Sequence, residues 1–246
     1  MGNTEYAYVL QLKRPPSIKQ GLGIAAHEAV GFNMAQKTLT YRDLPKEEVV
    51  QKFVDEWDIL SVEIEDVPVE KTRKENKAQA KDSGIKAVLK HTEKVASRIQ
   101  PVWVEEQIQF KLNDEIDWTG IFDLADDKGR VRDHKFVGRK PDDGGEYILP
   151  MVGYALGYRQ LTNDIETEIV LDYIVRTKEP YYLPLASGGP ISDAAISEFA
   201  KIVTQVKRSI DAGIFMPTGL ESRACGWCGY NDICPAYRAT HAGHNE

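Results

Sequence analysis

The fold is decided by two short segments, Thr119-Gly120-Ile121-Phe122-Asp123-Leu124 and Arg130-Val131-Arg132-Asp133-His134-Lys135. A three-residue loop that ends in a left-handed glycine would join them through Asp127-Lys128-Gly129 and make them the strands of a β-hairpin. Apolar residues run through both segments and just beyond them: Phe122, Leu124, Val131 and Phe136. We therefore expect the hairpin to be buried.

The register of this hairpin would aim two carboxylates at one point. Ala125 would face Val131, and Asp123 would face Asp133 with the two Cβ atoms roughly 4.5 to 5.5 Å apart. Lys135 lies two residues beyond Asp133 and stays on the same face. A buried pair of carboxylates is costly unless a cation balances it, and a divalent ion is the simplest balance. The alternative is a solvated hairpin or an ordinary cross-strand ion pair, because D-x-K is a very common tripeptide.

The chain has 246 residues, of which 42% are hydrophobic, so it is long enough to bury a real core. We expect one domain over 1–246, with a helical insertion at about 38–100, a core at about 101–186, and a C-terminal helix with a cysteine-rich lobe at about 190–246. No run of 18 apolar residues occurs, and Met1-Gly2-Asn3-Thr4-Glu5 has no basic region before an apolar stretch. These features predict no membrane partner and a cytoplasmic location.

The net charge of -7 argues against a protein that coats nucleic acid through bulk charge. A local basic stripe can still bind phosphates within an acidic molecule. One such stripe has nine basic residues, of which the first five are the candidate DNA-binding residues: Lys71, Arg73, Lys74, Lys77, Lys81, Lys86, Lys90, Lys94 and Arg98. A solvated helix face and a DNA-facing surface are equally good interpretations of this stripe.

Hydrophobic periodicity and breaker residues predict the order of the helices and strands. Helices are expected at 18–37, 45–57, 147–161 and 191–212, and residues 70–99 are expected to form one long polar helix or a pair. The helix at 147–161 would have Pro150 in its first turn, and the last would be N-capped by Ser192. Strands are expected at 102–112, in the two hairpin segments, at 168–176 and at 181–185, where the last pairs with the strand before it. The order helix, three strands, helix, strand describes a mixed α/β sheet flanked by helices, with a helical insertion before the sheet.

A histidine lies on the first predicted helix, in Gly21-Leu22-Gly23-Ile24-Ala25-Ala26-His27-Glu28. A lone helical histidine is more often a capped or solvated residue than a ligand. A neutral imidazole nevertheless suits a divalent ion that two carboxylates also bind. His27 is therefore a candidate third ligand.

Four motifs together resemble the RecB-like branch of the PD-(D/E)xK nucleases. They are G-x-x-x-H at Gly23 to His27, G-I-F-D at Gly120 to Asp123, D-H-K at Asp133 to Lys135, and G-Y-A at Gly153 to Ala155. Their order and spacing match that branch over nearly the whole chain. The resemblance implies an α/β fold with a restriction-endonuclease-like core. It also implies a relationship to the RecB and AddB nuclease domains, CRISPR adaptation nucleases and phage exonucleases.

The resemblance implies a role for each motif residue. His27, Asp123 and Asp133 would bind a divalent metal together with the backbone carbonyl of His134, and Lys135 would orient the attacking water. Hard oxygen ligands favour Mg²⁺, and the histidine makes Mn²⁺ a suitable substitute. The implied reaction is hydrolysis of a phosphodiester bond by in-line attack.

Three further residues are supporting candidates by the same resemblance. Tyr154 lies in the G-Y-A motif, although Pro150 stands where many relatives have glutamine. That departure concerns the contact of the tyrosine rather than the metal ligands. Glu105 and Glu106 lie where relatives often carry a glutamate on the first strand, and alternation allows one of them to face the site. Otherwise both are surface residues of that strand.

All three cysteines lie in Cys225-Gly226-Trp227-Cys228-Gly229-Tyr230-Asn231-Asp232-Ile233-Cys234-Pro235. In an intracellular chain this C-x2-C-x5-C spacing indicates metal binding rather than a disulfide. It also resembles the late cysteines of the iron–sulfur clasp in AddB-type and CRISPR-associated relatives, where a fourth, upstream cysteine completes a [4Fe-4S] cluster that ties the chain ends together.

No cysteine precedes His27 in this sequence, so the fourth ligand of such a cluster is missing. Several explanations stay open. The chain could be truncated at its N-terminus, the fourth ligand could be a residue other than cysteine, or the cluster could contain three irons. Alternatively Zn²⁺ binds the three thiolates with His241 or His244, or the cysteines bind no metal.

The resemblance implies a metal-dependent DNA nuclease, most simply an exonuclease, that acts in phage or bacterial recombination, repair or replication. Its partner would be DNA, with a helicase or a recombination protein as a further partner. One alternative is a nuclease-fold subunit that binds DNA or helps assembly without cutting. The other is a zinc-binding interaction module whose acidic hairpin is incidental.

Overall fold

The computed structural model describes residues 5–64, 76–141, 148–215 and 228–241. Its helices are α1 (Ile18–Thr40), α2 (Lys46–Glu63), α3 (Lys77–Lys94), α4 (Ile148–Thr162), α5 (Asp193–Asp211) and α6 (Pro235–His241). Its strands are β1 (Pro101–Asn113), β2 (Ile116–Asp126), β3 (Arg130–Val137), β4 (Glu168–Val175) and β5 (Tyr181–Ala186). Short turns of π-helix and 3₁₀-helix occur at Glu5–Val9 and Ala96–Arg98. Within these described ranges, no helix has the length and apolar character that crossing a membrane requires.

The five strands form one sheet in the order β1-β2-β3-β4-β5. Strands β1 and β2 are antiparallel, as are β2 and β3, and β4 and β5. Strands β3 and β4 are parallel, so a crossover must join them, and α4 supplies it. The predicted order of helix, three strands, helix and strand is confirmed, and so is the pairing of the last two strands.

The central hairpin has the predicted register. Ala125 pairs with Val131, and Leu124 pairs with Arg132. The three-residue connection ends at Gly129, whose φ of 71° is a left-handed conformation that glycine adopts without steric penalty. Three of the four apolar residues named in the prediction are fully buried, namely Phe122, Leu124 and Val131, whereas Phe136 is partly buried.

Helices cover both faces of the sheet. On one face α4 packs on β1, β2 and β3, with a core that includes Phe122, Val131, Met151, Ala155 and Tyr173. On the other face α1 and α3 pack on the sheet, with a core that includes Val30, Met34, Ala87, Leu124 and Ile174. A third cluster, which contains Phe53 and Trp57, joins α2 and α3 to α1. Helix α1 therefore lies between the sheet and the helical insertion, and it touches both.

The ends of α1 and α5 follow helix-capping rules. Ser17 precedes α1, and its capping box satisfies N–H groups that would otherwise lack partners at the helix start. Helix α1 continues past the predicted residue 37 to Thr40, where Tyr41 takes a left-handed φ of 60° and ends it. Ser192 caps α5 as predicted, because its hydroxyl accepts the N–H of Ala195.

The two insertion helices differ from their predicted bounds. Helix α2 runs to Glu63 rather than ending near residue 57. The prediction of one long helix or a pair over 70–99 is corrected in its bounds, because the α-helix of the described part begins at Lys77 and ends at Lys94, and a short 3₁₀ turn follows at Ala96–Arg98. Asn76 caps that start, and a capping residue has an extended backbone that a continuous helix could not contain. Residues 70–75 lie outside the described part of the chain.

Candidate metal centre

Three side chains with metal-binding atoms meet where α1 packs on the sheet. His27 of α1, Glu105 of β1 and Asp123 of β2 each offer one donor atom, and these atoms lie within 4.8 Å of one another. Nδ1 of His27 is 3.4 Å from Oδ2 of Asp123. Gly31, one turn after His27, faces Glu105, and a Cβ there would lie 3.4 Å from the Glu105 side chain, about the distance of an ordinary contact.

The backbone of His134 holds this group together. Its N–H donates a hydrogen bond to Oδ2 of Asp123 at 2.7 Å. The same backbone lies beside the His27 ring and favours its protonated form. One residue of β3 therefore holds Asp123 and adjoins His27. The role of the His134 carbonyl as a metal ligand stays a prediction.

Glu105 has an unusual backbone for a strand residue. Its φ of 49° lies in the left-handed region, which costs a residue other than glycine about 1–2 kcal/mol. In the register of β1 and β2, Val104 pairs with Leu124 and Glu106 with Phe122, so Glu105 lies opposite Asp123. Strain of this kind collects at functional sites. Of the two candidate glutamates, Glu105 thus joins the donor group, and Glu106 lies outside it.

Asp133 and Lys135 lie beside this group on β3. Asp133 is 4% exposed, and its Oδ2 is 2.6 Å from Nζ of Lys135. Burial first, and then the charge of Asp123, raise the pKa of Asp133 to about 6, while Lys135 opposes the shift. The hairpin thus brings Asp123 and Asp133 close enough to influence each other. Asp133 lies outside the three-residue donor group, and its role as a ligand stays a prediction.

The electrostatics of the site favour a bound cation. Partial burial and then the charge of Asp123 raise the pKa of Glu105 to about 7. Burial lowers the pKa of His27, which favours the neutral imidazole that binds metals. Burial, with the charges of Asp133 and Asp123, raises the pKa of Tyr154 to about 12. Hard carboxylate oxygens with one neutral imidazole are a donor set that Mg²⁺ or Mn²⁺ fits.

The ring of Trp118 explains the two glycines of the G-I-F-D and G-Y-A motifs. A Cβ on Gly120 of β2 or on Gly153 of α4 would overlap this ring. The ring also meets Tyr154 edge-on, with 6.3 Å between ring centroids. Pro150 lies in the first turn of α4, as predicted. Trp118 therefore sets how closely α4 approaches β2, and this contact places Tyr154 near the carboxylates.

The basic stripe is described only in part. Nζ of Lys81 is 2.6 Å from Oδ1 of Asp58 on α2, so an acidic residue of the insertion partly neutralises the charge of this lysine. Three of the candidates lie outside the described residues: Lys71, Arg73 and Lys74. The DNA-binding role of Lys77 and Lys81 stays a prediction.

The cysteine-rich segment is also described in part. Cys228 and Cys234 are free thiols of intermediate exposure. The Tyr230 hydroxyl between them donates a hydrogen bond to the Leu12 carbonyl at 2.6 Å, so this segment contacts the start of the described chain. Several predicted ligands lie outside the described residues: Cys225, His244 and the side chain of His241.

Sequence reasoning missed a buried polar network behind the donor group. Asp172 in the middle of β4 is fully buried and accepts two hydrogen bonds from Arg132, at 2.8 and 2.7 Å. His134 and His91 lie beside this pair. One signal was present in the sequence, because Asp172 interrupts an apolar run over residues 169–175. A charged residue inside a fully buried strand requires a partner.

The chain is similar to solved structures of low sequence identity. One is "Putative exonuclease" from Eubacterium rectale, with 12% identity, a TM-score of 0.47, and coverage of 83% of this chain and 76% of that chain. Another is SSO0001, with 12% identity, a TM-score of 0.41, and coverage of 96% of this chain and 93% of that chain. No curated protein sequence matches the chain.

One protein family matches almost the whole chain. The model of the PD-(D/E)XK nuclease superfamily matches residues 5–235. The mixed sheet with its flanking helices agrees with the restriction-endonuclease-like fold of that family, so the predicted fold class is confirmed. The chain belongs to the PD-(D/E)XK nuclease superfamily.

Proposed function

We propose that the protein is a metal-dependent DNA nuclease that hydrolyses phosphodiester bonds. The observation that carries the proposal is the donor group of His27, Glu105 and Asp123 next to the pair of Asp133 and Lys135. Membership of the superfamily supports hydrolysis of nucleic acid. The choice of DNA, and of Mg²⁺ or Mn²⁺, is the more specific part of the proposal.

The donor group would hold the ion through oxygen and nitrogen atoms. Glu105 and Asp123 would bind through carboxylate oxygens and His27 through its neutral ring, and Asp133 and the His134 carbonyl are the adjacent ligands that the motifs imply. When bound, a divalent ion supplies polarisation of the phosphate and a lower pKa for a bound water.

Lys135 would orient the attacking water. Its ammonium group is held by Asp133, one residue from the His134 backbone that holds Asp123. It would donate a hydrogen bond to the water and stabilise the deprotonated form. A nucleophile held in line with the phosphate gains rate from its fixed orientation. Tyr154, which stays protonated because its pKa is about 12, would be a neutral donor at the edge of the site.

The motifs support a narrower version of the proposal. DNA ends or single strands would be the substrate, with exonuclease action in phage or bacterial recombination or repair. The compartment would be the cytoplasm, and a helicase or a recombination protein would be a further partner. In the single-domain layout over 1–246, the insertion would face DNA through Lys77 and Lys81, with the helical cysteine-rich lobe at the C-terminal side.

Cleavage of labelled DNA tests the proposal. Single-stranded and double-stranded oligonucleotides are incubated with the purified protein in Mg²⁺, in Mn²⁺ or in EDTA. We expect cleavage that EDTA abolishes, and a loss of roughly 100-fold or more in Asp133→Asn and in Lys135→Ala. Lys201→Ala is the matched control, because Lys201 is an exposed lysine of α5.

The outcomes separate the proposed enzyme from its alternatives. DNA binding without cleavage by the wild type would indicate the binding or assembly subunit instead. Cleavage in EDTA, or full activity in both site variants, would overturn the mechanism. Equal loss of activity in Lys201→Ala would point to a general effect of charge on DNA binding.

The cysteines require a separate experiment. We propose that Cys225, Cys228 and Cys234 hold a structural iron–sulfur cluster, with Zn²⁺ as the alternative metal. Thiolates are ligands for both, and the two described cysteines are free. Anaerobic purification followed by iron, sulfide and zinc analysis distinguishes them. Iron together with sulfide would support the cluster, and zinc without them would support the zinc site. The absence of iron, sulfide and zinc would contradict both proposals.

A further inference from the structure

Four buried polar side chains are stacked behind β3, on the face that α1 and α3 cover. Asp172 is fully buried, and Arg132, His134 and His91 are each at most 5% exposed. The carboxylate of Asp172 accepts both hydrogen bonds from Arg132, and the hydroxyl of Tyr182 donates to it at 2.7 Å. Buried polar groups cost free energy unless they are paired, and the hydrogen bonds of this network provide that pairing within the core.

His91 and His134 join the network to the helical insertion. Nε2 of His91 on α3 is 3.4 Å from Nδ1 of His134 on β3, and the two rings meet at 83° with their centroids 4.6 Å apart. The same Nδ1 is 3.5 Å from Oδ2 of Asp172. The His134 ring is therefore contacted at Nδ1 both by a helix of the insertion and by the neighbouring strand.

The backbone of His134 lies in the candidate metal centre, while its ring lies in this network. Its N–H donates to Asp123, and its backbone lies beside the His27 ring. The ring contacts behind β3 and the backbone contact with Asp123 therefore belong to the same residue.

We infer that His91 and Asp172 are positioning residues of the nuclease site, which act by orienting the His134 ring and so the backbone that holds Asp123 and adjoins His27. This inference rests on the proposed function. It makes helix α3 of the insertion part of the construction of the site. Mutation of residues that orient metal ligands typically lowers metal affinity or activity roughly 10–100-fold.

A second metal site is a poorer interpretation of the same residues. Arg132 occupies the Asp172 carboxylate with two hydrogen bonds, so a cation there would have to displace a guanidinium. Among the residues that the structure describes, the donor atoms of His27, Glu105 and Asp123 lie close enough together to bind one ion. The histidine pair is therefore assigned to positioning.

Two substitutions of His91 separate the hydrogen bond from the packing. His91→Phe keeps a ring in the cavity but has no nitrogen, whereas His91→Gln places an amide near the position of Nε2. We expect kcat for DNA cleavage to fall about 10-fold or more in His91→Phe, with the KM for DNA changed less than about twofold, and to recover in His91→Gln. Mn²⁺ binding, followed by electron paramagnetic resonance, should weaken in His91→Phe by a similar factor.

A matched pair of buried carboxylates controls for stability. Glu166 is as buried as Asp172 and is held by the Arg159 fork, but it contacts none of the donor residues. Asp172→Asn and Glu166→Gln should both lower the free energy of unfolding. We expect only Asp172→Asn to weaken Mn²⁺ binding and lower kcat.

Two results would overturn the inference. One is a folded His91→Phe with the wild-type kcat and Mn²⁺ affinity, and the other is an equal effect of Asp172→Asn and Glu166→Gln on both quantities. If His91→Phe does not fold, the second comparison decides. A wild type without nuclease activity would refute the proposed function, and the Mn²⁺ measurement would still test the positioning role.

Discussion

The surroundings of Glu105 disfavour the charge of its carboxylate. Its pKa of about 7 exceeds the ordinary value of 4.5, because partial burial and the charge of Asp123 disfavour its ionised form. The folded protein therefore binds this proton more tightly than the unfolded chain does. The contribution of Glu105 to stability is present below about pH 4.5 and is lost as the pH rises through about 7.

Replacing Glu105 by glutamine should remove this pH dependence. In EDTA near pH 8 we expect Glu105→Gln to be more stable than the wild type, because the amide carries no charge. The two free energies of unfolding should converge below about pH 4.5, where Glu105 is protonated in both states. Urea denaturation across this range measures the difference.

Metal should reverse the order of stability. Under the proposed function, added Mn²⁺ would bind the folded wild type through Glu105, so it should stabilise the wild type more than Glu105→Gln. Glu106→Gln is the matched control, because Glu106 is the neighbouring residue and lies outside the donor group. A pH profile of Glu105→Gln identical to that of the wild type would contradict the argument, as would the same shift in Glu106→Gln.

Sequence patterns found some of the site residues and missed others for a physical reason. Short motifs mark all three of His27, Asp123 and Lys135. His27 lies four residues after Gly23, Asp123 lies three residues after Gly120, and Lys135 lies two residues after Asp133. The choice between Glu105 and Glu106 depends on strand alternation, and the left-handed φ at Glu105 interrupts it. The pairs of the buried network join residues 43 and 40 positions apart, so no local pattern marks them.

The packing of α3 on α2 depends on a glycine. The ring of Phe53, which is fully buried, lies where a Cβ on Gly84 would be. A rigid aromatic ring in a closed core cannot move aside without disturbing its neighbours. This close contact fixes the separation of the two insertion helices, and His91 lies two turns further along α3.

Two glycine-to-alanine substitutions should have opposite effects on stability. Gly84→Ala should lower the free energy of unfolding by about 1–3 kcal/mol through the clash with Phe53, despite the better helix propensity of alanine. Gly23→Ala in α1 should raise it by about 0.5–1 kcal/mol, because no atom lies within 4 Å of the added Cβ. Urea denaturation measures both. Stabilisation by Gly84→Ala would show that the ring moves aside without cost.

The elements themselves were predictable where their signals are local. The hairpin register followed from the glycine turn, and the start of α5 followed from Ser192. The stop of α1 at Tyr41 was not predictable, because it depends on a left-handed conformation in a residue that rarely adopts one. The overlap of the Gly120 and Gly153 positions with Trp118 is likewise a tertiary contact that chain order does not reveal.

At the scale of the whole molecule, the two ends of the described chain contact each other. The rings of Tyr6 and Tyr230 have centroids 5.4 Å apart, and the Tyr230 hydroxyl bonds to the Leu12 carbonyl. Arg14 pairs with Asp232 at 2.7 Å, but both side chains are exposed. Exposed ion pairs contribute at most about 1 kcal/mol, so Tyr230 should carry most of this contact.

Substitutions at Tyr230 and Asp232 should therefore differ in their effect on residues 5–14. Tyr230→Ala removes a ring that is 7% exposed together with its hydrogen bond, so we expect hydrogen–deuterium exchange of residues 5–14 to accelerate strongly. Asp232→Ala removes an exposed ion pair and should change the exchange little. Tyr230→Phe keeps the ring and loses the hydroxyl, so it should fall between them. Unchanged exchange in Tyr230→Ala, or equal acceleration in Asp232→Ala, would show that the ion pair or other contacts hold the two ends together.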